Sequence, residues 1–342
     1  MRNFRKRYGA YPLLALFFLA ASTLMRTVAC LTAYDFTWSY YTSSLGAASG
    51  FTAAIGALIL LSYAFAARRL VGLVASFTSP AAYIPTGIIA VALFFLSRSL
   101  LSNARGVFNP GGTSDIIALL SLLCAIFGFI AIGYFLLSAV IDKRHYIFRS
   151  NFGLIAVIFL ALYASLLYFD KELPVNSPNK ITDQLAFLFS AIFFLYETRI
   201  SLGREKWGAY TAFGFVALLL TAYASIPELI VYFVNGEVLA SSLLESILSF
   251  SLFVFITARV IIAGIIPEDR ETDFITKLKA AAKKRECELS EAHSEPIAVQ
   301  DVEDGADSGY SSSTPDPDQV SFDFQSEYAD EVEDINVTEV SE

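Results

Sequence analysis

Over the first 266 residues, apolar side chains fall in long runs separated by short polar breaks, and the pattern then stops. As a helix rising 1.5 Å per residue, a run of about 20 apolar residues crosses the hydrocarbon core of a bilayer. Eight segments qualify: Tyr11–Ala33, Leu45–Ala67, Ala82–Leu101, Ile116–Ile141, Phe152–Phe169, Leu185–Arg199, Tyr210–Val234 and Val238–Ile266. This predicts an all-α fold, a polytopic transmembrane helical bundle of about eight spans arranged as four successive hairpins. Breakers agree with the limits. Pro12 and Pro85 fall in first turns, where a missing N–H costs nothing. Asp115 and Asp183, after Thr113-Ser114 and Thr182, are placed to cap the helices that follow. Trp38 and Trp207 fall at predicted membrane interfaces, where an amphipathic ring prefers to lie.

Composition supports a membrane class and adds a charge split. The 342 residues are 55% hydrophobic and only 17% charged, with 30 Phe and 17 Tyr, whereas a soluble domain carries about a quarter charged residues. The net charge of −9 conceals two parts. From Pro267 onward there are 22 acidic and 6 basic residues, while the preceding 266 residues hold 11 acids and 18 bases. Eleven basic residues (Arg2, Arg5, Lys6, Arg7, Arg68, Arg69, Lys143, Arg144, Arg149, Arg204 and Lys206) flank alternate ends of the spans. Three (Arg105, Lys171 and Lys180) lie in the other loops. The positive-inside rule then predicts a plasma-membrane protein with both termini in the cytoplasm. A cleaved signal peptide over Met1–Ala33 is disfavoured, because the apolar run extends past Arg26 and beyond an ordinary signal core.

Three domains follow: residues 1–266 in the membrane, 267–289 as a juxtamembrane segment and 290–342 as a tail. In the second, Phe274, Ile275, Leu278, Ala281, Ala282 and Leu289 recur at helical spacing between five basic residues from Lys277 to Arg285. That pattern suits a basic amphipathic helix on an anionic leaflet, or a solvated extension of the last span. The third has no Lys or Arg and is rich in Ser, Asp, Glu, Gly and Pro, a composition expected to stay disordered in the cytoplasm. Its aromatics (Tyr310, Phe322, Phe324 and Tyr328) offer anchors for a cytoplasmic protein partner, against the plainer reading of a solubilising acidic tail. A calcium-loop resemblance at Asp301–Gly305 lacks the closing Glu. The sequon at Asn336 lies on the wrong side of the membrane for glycosylation in this topology.

Inside the spans, an ionisable side chain costs about 2.5–3.5 kcal/mol at mid-bilayer, so each one needs a reason. The candidates are Glu228, Glu245, Arg26, Arg98, Glu197 and Arg259. Glu228 lies eight residues before Gly236 and Glu245 nine after it, so the last hairpin carries two carboxylates at one depth. Arg26 and Arg98 occupy a similar outer level, and the four together would make a neutral network. Glu197 and Arg259 form a second candidate pair near the inner face. Pro227, just before Glu228, should kink its helix and free a carbonyl. These groups make either a polar site for a small molecule or structural ion pairs between helices. Gly46, Gly50 and Ala54 form a small-residue stripe suited to helix packing.

Absences narrow the chemistry. His145 and His293 are the only histidines and lie outside the spans, and every Asp falls in a loop, an interface or the tail. Intramembrane metallo-, serine and aspartyl proteolysis therefore lack their residues. The three cysteines build neither a disulfide framework nor a metal site. No phosphate-binding loop or dinucleotide fingerprint occurs, and the acidic tail repels nucleic acid. No cofactor is expected and no enzyme activity. Tyr168-Phe169-Asp170, Pro174-Val175-Asn176-Ser177-Pro178-Asn179-Lys180 and Phe194-Leu195-Tyr196-Glu197-Thr198-Arg199 together resemble a segment of uncharacterised polytopic membrane proteins of Gram-positive bacteria. The resemblance covers about a tenth of the chain and implies no activity. The expectation is a permease-like or small-molecule-binding membrane protein of unidentified ligand, or a membrane scaffold or signalling component working through its tail.

Overall fold

Helices replace all eight apolar runs in the computed structural model, which describes residues 8–36, 39–66, 83–104, 116–140, 146–169, 174, 177–201, 206–237, 239 and 242–265. They are α1 (Tyr11–Ala33), α2 (Ser44–Leu61), α4 (Tyr83–Asn103), α5 (Ile116–Val140), α6 (Tyr146–Phe169), α7 (Pro178–Ser201), α8 (Trp207–Asn235) and α9 (Leu243–Ile265). A four-residue α3 (Tyr63–Ala66) continues α2 beyond Ser62. The juxtamembrane and tail segments, Trp38, Asp115 and most of the orienting basic residues lie outside the described residues.

Seven of these helices are long and apolar enough to cross a bilayer. Their outward faces carry large exposed apolar side chains, among them Leu13, Phe17, Phe51, Leu58, Phe65, Ile84, Phe94, Leu154 and Phe233. Large apolar side chains exposed along helices of this length suit contact with lipid. The chain is a multi-pass integral membrane protein. The eighth helix, α7, is long enough at 24 residues but is the least apolar. The cause is visible in its burial: Asn179, Lys180, Asp183, Ser190, Glu197 and Thr198 are all buried. Its polar face is turned into the protein, so average hydropathy underrates a helix that meets its polar needs internally.

Packing closes a circuit. α4 lies on α5, α5 on α6, α6 on α7, α7 on α8, α8 on α9, and α9 returns to α4. The first hairpin, α1 with α2, docks on the outside of α8. Close approaches use small residues. A methyl group added at Gly128 would overlap Ser97 Oγ, and one at Gly153 would overlap Thr198. Inside the circuit, Phe135, Phe194 and Phe255 meet pairwise with ring centroids 5.1–5.8 Å apart, joining α5, α7 and α9. α8 touches both groups of helices and is buried along 78% of its apolar window, against 33% for α1.

Two features position the polar residues. Between α1 and α2 the chain forms a two-stranded arm, β1 (Tyr34–Asp35) antiparallel to β2 (Tyr40–Tyr41), with Tyr34 opposite Tyr41. At the far end of α8, Gly236 adopts φ 75° and returns its N–H to Tyr232 O at 2.9 Å. That left-handed turn suits glycine, which has no Cβ to clash. Ser242 immediately precedes α9, and its hydroxyl accepts from the Glu245 N–H at 3.3 Å.

Candidate functional site

Arg26, in the middle of a lipid-spanning helix, is completely buried. A guanidinium has five N–H donors in a fixed plane, and each has an acceptor here. Nε donates to Tyr41 Oη at 3.2 Å. Nη1 donates to the carbonyls of Tyr223 and, at 3.2 Å, Ala224. Nη2 donates to Asn179 Oδ1 at 2.9 Å and to Glu228 Oε1 at 3.1 Å, the latter an ion pair. The plane also lies over the Tyr223 ring, 4.8 Å from its centroid, an arrangement that adds cation–π attraction.

One of these carbonyls, that of Tyr223, is freed by the sequence of α8. Tyr223 O would ordinarily accept from the backbone N–H four residues on, but that residue is Pro227, which has none. An unsatisfied carbonyl in the bilayer is costly, and Arg26 meets that need. Next in sequence is Glu228, which supplies the opposite charge. Pro227 and Glu228 thus act together, one exposing a backbone acceptor and the other balancing the charge drawn to it.

The partners of Arg26 are themselves held. Glu228 Oε2 accepts from Ser246 Oγ at 2.7 Å, which ties α8 to α9 at matching depth. Asn179, one residue into α7, accepts from Tyr41 Oη at 3.3 Å and donates to Tyr34 Oη at 2.8 Å. Burial pushes both phenols of the arm above the ordinary tyrosine range, Tyr34 to about 12. Both therefore stay protonated at neutral pH. Asp183, one turn beyond Asn179, is buried in the same region, within electrostatic reach of Glu228, Glu245 and Arg26. Neither of its oxygens has a hydrogen-bond partner. Glu245 is buried in the first turn of α9, where a helix N-terminus favours negative charge.

Beside this cluster lies a groove of about 350 Å³, bounded by the arm (Tyr40 and Tyr41), α2 (Gly46, Ala47 and Gly50), α7 (Pro178 and Thr182) and Tyr223. That volume lies within the range of small-molecule sites. Tyr41 and Tyr223 belong to both features: each lines the groove and contacts Arg26. Gly46 lets the Tyr41 ring lie flat on α2, because a methyl group there would overlap the ring. Among the described residues, no group of three His, Cys, Asp or Glu side chains is placed to hold a metal ion.

A second ion pair joins Glu197 of α7 to Arg259 of α9 at 3.2 Å. Tyr134 of α5 donates to the same Glu197 oxygen at 3.3 Å, and the Arg259 guanidinium lies 5.0 Å from the Phe255 ring centroid. The three helices meet through these groups across the inside of the circuit.

Of the six charges singled out in the sequence, the structure brings together Arg26 with Glu228 and Glu197 with Arg259. It buries Glu245 nearby. Arg98 is the exception. It is exposed on α4, whose buried face is set by Leu93, Leu96, Ser97 and Leu100. Depth along a helix does not fix the direction a side chain faces, and Arg98 stands outside the cluster. Trp207, at the first position of α8, is buried against Tyr210. Two other expectations need revision. Asp183 is no cap, since α7 starts five residues earlier at Pro178. The glycine stripe splits: Gly46 packs on Tyr41, Gly50 lines the groove and Ala54 is exposed. Residues missed in the sequence are Tyr34, Tyr41, Asn179, Asp183 and Tyr223. The Ser177-Pro178 pair, a cap residue before a proline at the first helical position, was the available signal for the true start of α7. Comparison with protein-family models, curated proteins and solved structures finds no match to this chain.

Proposed function

We propose that this chain is a non-enzymatic, permease-like protein of the plasma membrane that binds a small molecule in the groove beside Arg26, with both termini in the cytoplasm. One observation carries this reading: two residues of the groove wall, Tyr41 and Tyr223, also contact Arg26 of the buried Arg26–Glu228 pair. A ligand displacing Tyr41 or Tyr223 would disturb contacts that tie α1, α7 and α8 together, and helix rearrangement would follow from binding. Gly50 gives the test. A Cβ added there meets only Tyr223 Oη, at 3.8 Å, and Gly50 lines the groove, so Gly50→Leu is the variant chosen to occupy it. The purified protein is screened in detergent against amino acids, organic acids and quaternary amines by thermal shift. A compound that stabilises the natural protein but not Gly50→Leu supports the reading; equal stabilisation of both refutes it.

A second reading, a membrane scaffold whose acidic tail recruits a cytoplasmic protein, draws support from the complete matching of the Arg26 donors. Static ties of that kind suit an anchor. Deleting Ser290–Glu342 then removes the cellular phenotype, while Gly50→Leu, Glu228→Gln and Glu245→Gln leave it intact.

A further inference from the structure

We infer that Asp183 is a proton-binding site, its side chain gaining and losing one proton inside the bundle. The argument is an accounting of donors around one carboxyl group. Asp183 is 2% exposed, and both oxygens are buried without a hydrogen-bond partner. The donors of the adjoining cluster are committed elsewhere, and the neighbouring Gln184 Nε2 makes no hydrogen bond to Asp183 either. The five N–H groups of Arg26 go to Tyr41, Tyr223, Ala224, Asn179 and Glu228. The Ser246 hydroxyl goes to Glu228, and the Tyr41 hydroxyl to Asn179.

The charges facing Asp183 argue the same way. Glu228 comes from α8, Glu245 from α9 and Arg26 from α1. On its own helix, Lys180 is buried with interactions of its own. From α6, Tyr163 packs against Phe187, one turn further along α7. Arg26 is already paired with Glu228, so a further negative charge would be both unsolvated and repelled by two carboxylates. A proton removes both penalties. A metal ion is a poor substitute, since no three-ligand group stands among the described residues. Thr182, the preceding residue, lines the groove. The site deepens the reading above, because a proton there would couple to ligand entry beside it, but its existence does not require a ligand.

Dicyclohexylcarbodiimide tests it, because the reagent adds to protonated carboxyl groups in apolar surroundings. The full-length protein in detergent is treated at a series of pH values, and the adduct is located by peptide mass spectrometry. The expected result is an adduct at Asp183 that declines with rising pH, by about tenfold per unit once the group ionises. It is absent from Asp183→Asn, whose melting temperature matches the natural protein at low pH and varies less with pH. Four results overturn the proposal: no adduct at any pH, an adduct independent of pH, labelling at Glu228 or Glu245 instead, and protection by sodium chloride but not choline chloride. No ligand enters the experiment, so a failed groove reading leaves the labelling result standing, and failed labelling leaves the Gly50→Leu comparison standing.

Discussion

Two chemically identical changes one turn apart on α2, Gly46→Ala and Gly50→Ala, should have opposite effects. Removing a helical glycine is worth up to about 1 kcal/mol in each case. At Gly50 nothing opposes the gain, because the new methyl makes only an ordinary contact with Tyr223 Oη at 3.8 Å. At Gly46 the methyl overlaps the Tyr41 ring. That ring cannot simply turn away, because its hydroxyl bonds Arg26 and Asn179 and its face meets Tyr34 edge-on at 5.2 Å. Overpacking costs about 1–3 kcal/mol, and losing a hydrogen bond from a charged donor adds about 1.5–3. The net expectation is about 1.5–5 kcal/mol of destabilisation for Gly46→Ala and a gain of up to about 1 for Gly50→Ala. Thermal unfolding of the two variants in one detergent measures the gap. If both melt within a degree or so of each other, Tyr41 is not pinned by Arg26, and the account of the groove wall fails.

Other outcomes follow from the same contacts. Arg259→Met leaves the buried Glu197 carboxylate facing an apolar side chain and should destabilise by about 3–5 kcal/mol, most of it recovered when Glu197→Leu is added; a double variant as unstable as the single one counts against the pair. Arg98→Gln should change stability by no more than about 0.5 kcal/mol, because that side chain is exposed on α4; a larger loss, read by the same unfolding assay, would place Arg98 in the network after all. Tyr34 titrates at about 12 in the folded protein against an ordinary 10. Folding therefore favours its neutral form, and the contribution is complete below pH 10 and fades between pH 10 and about 12. An unfolding series across that window should show a shallower alkaline decline for Tyr34→Phe than for the natural protein.

How far the sequence could be read depended on which coordinate was asked of it. Position along a helix was legible to within a residue: counting from Gly236 set Glu228 level with Glu245, whereas its partner is Ser246, the next residue, and Arg26 meets Glu228. Direction around a helix axis was not, which is why Arg98 was grouped with residues it never faces. Helix starts were misplaced wherever polar residues lie inside a span. Leu185 looks like the first membrane residue only if Asn179, Lys180 and Asp183 are assumed to need water, whereas the bundle buries all three. The same error hid Asp183, whose Thr-Asp setting before an apolar run imitates a cap. For α9, Ser242-Leu243-Leu244-Glu245 carries the capping-box pattern, which marks the start better than hydropathy does. Tyr41 and Tyr223 carried no local signal, since their importance comes from contacts made across more of the chain than any sequence window covers.

The separation between Arg26 and its partners also bears on synthesis. Asn179 is 153 residues downstream and Glu228 is 202. At about 5–20 residues per second, a ribosome needs about 10–40 s to deliver Glu228 after Arg26. During that interval the first hairpin is already made, yet its guanidinium has neither counter-ion nor carbonyl to bind. The nascent chain must keep that helix near the translocon or bent toward the lipid headgroups until α8 arrives, and docking α8 then becomes the event that commits the N-terminal hairpin to its place.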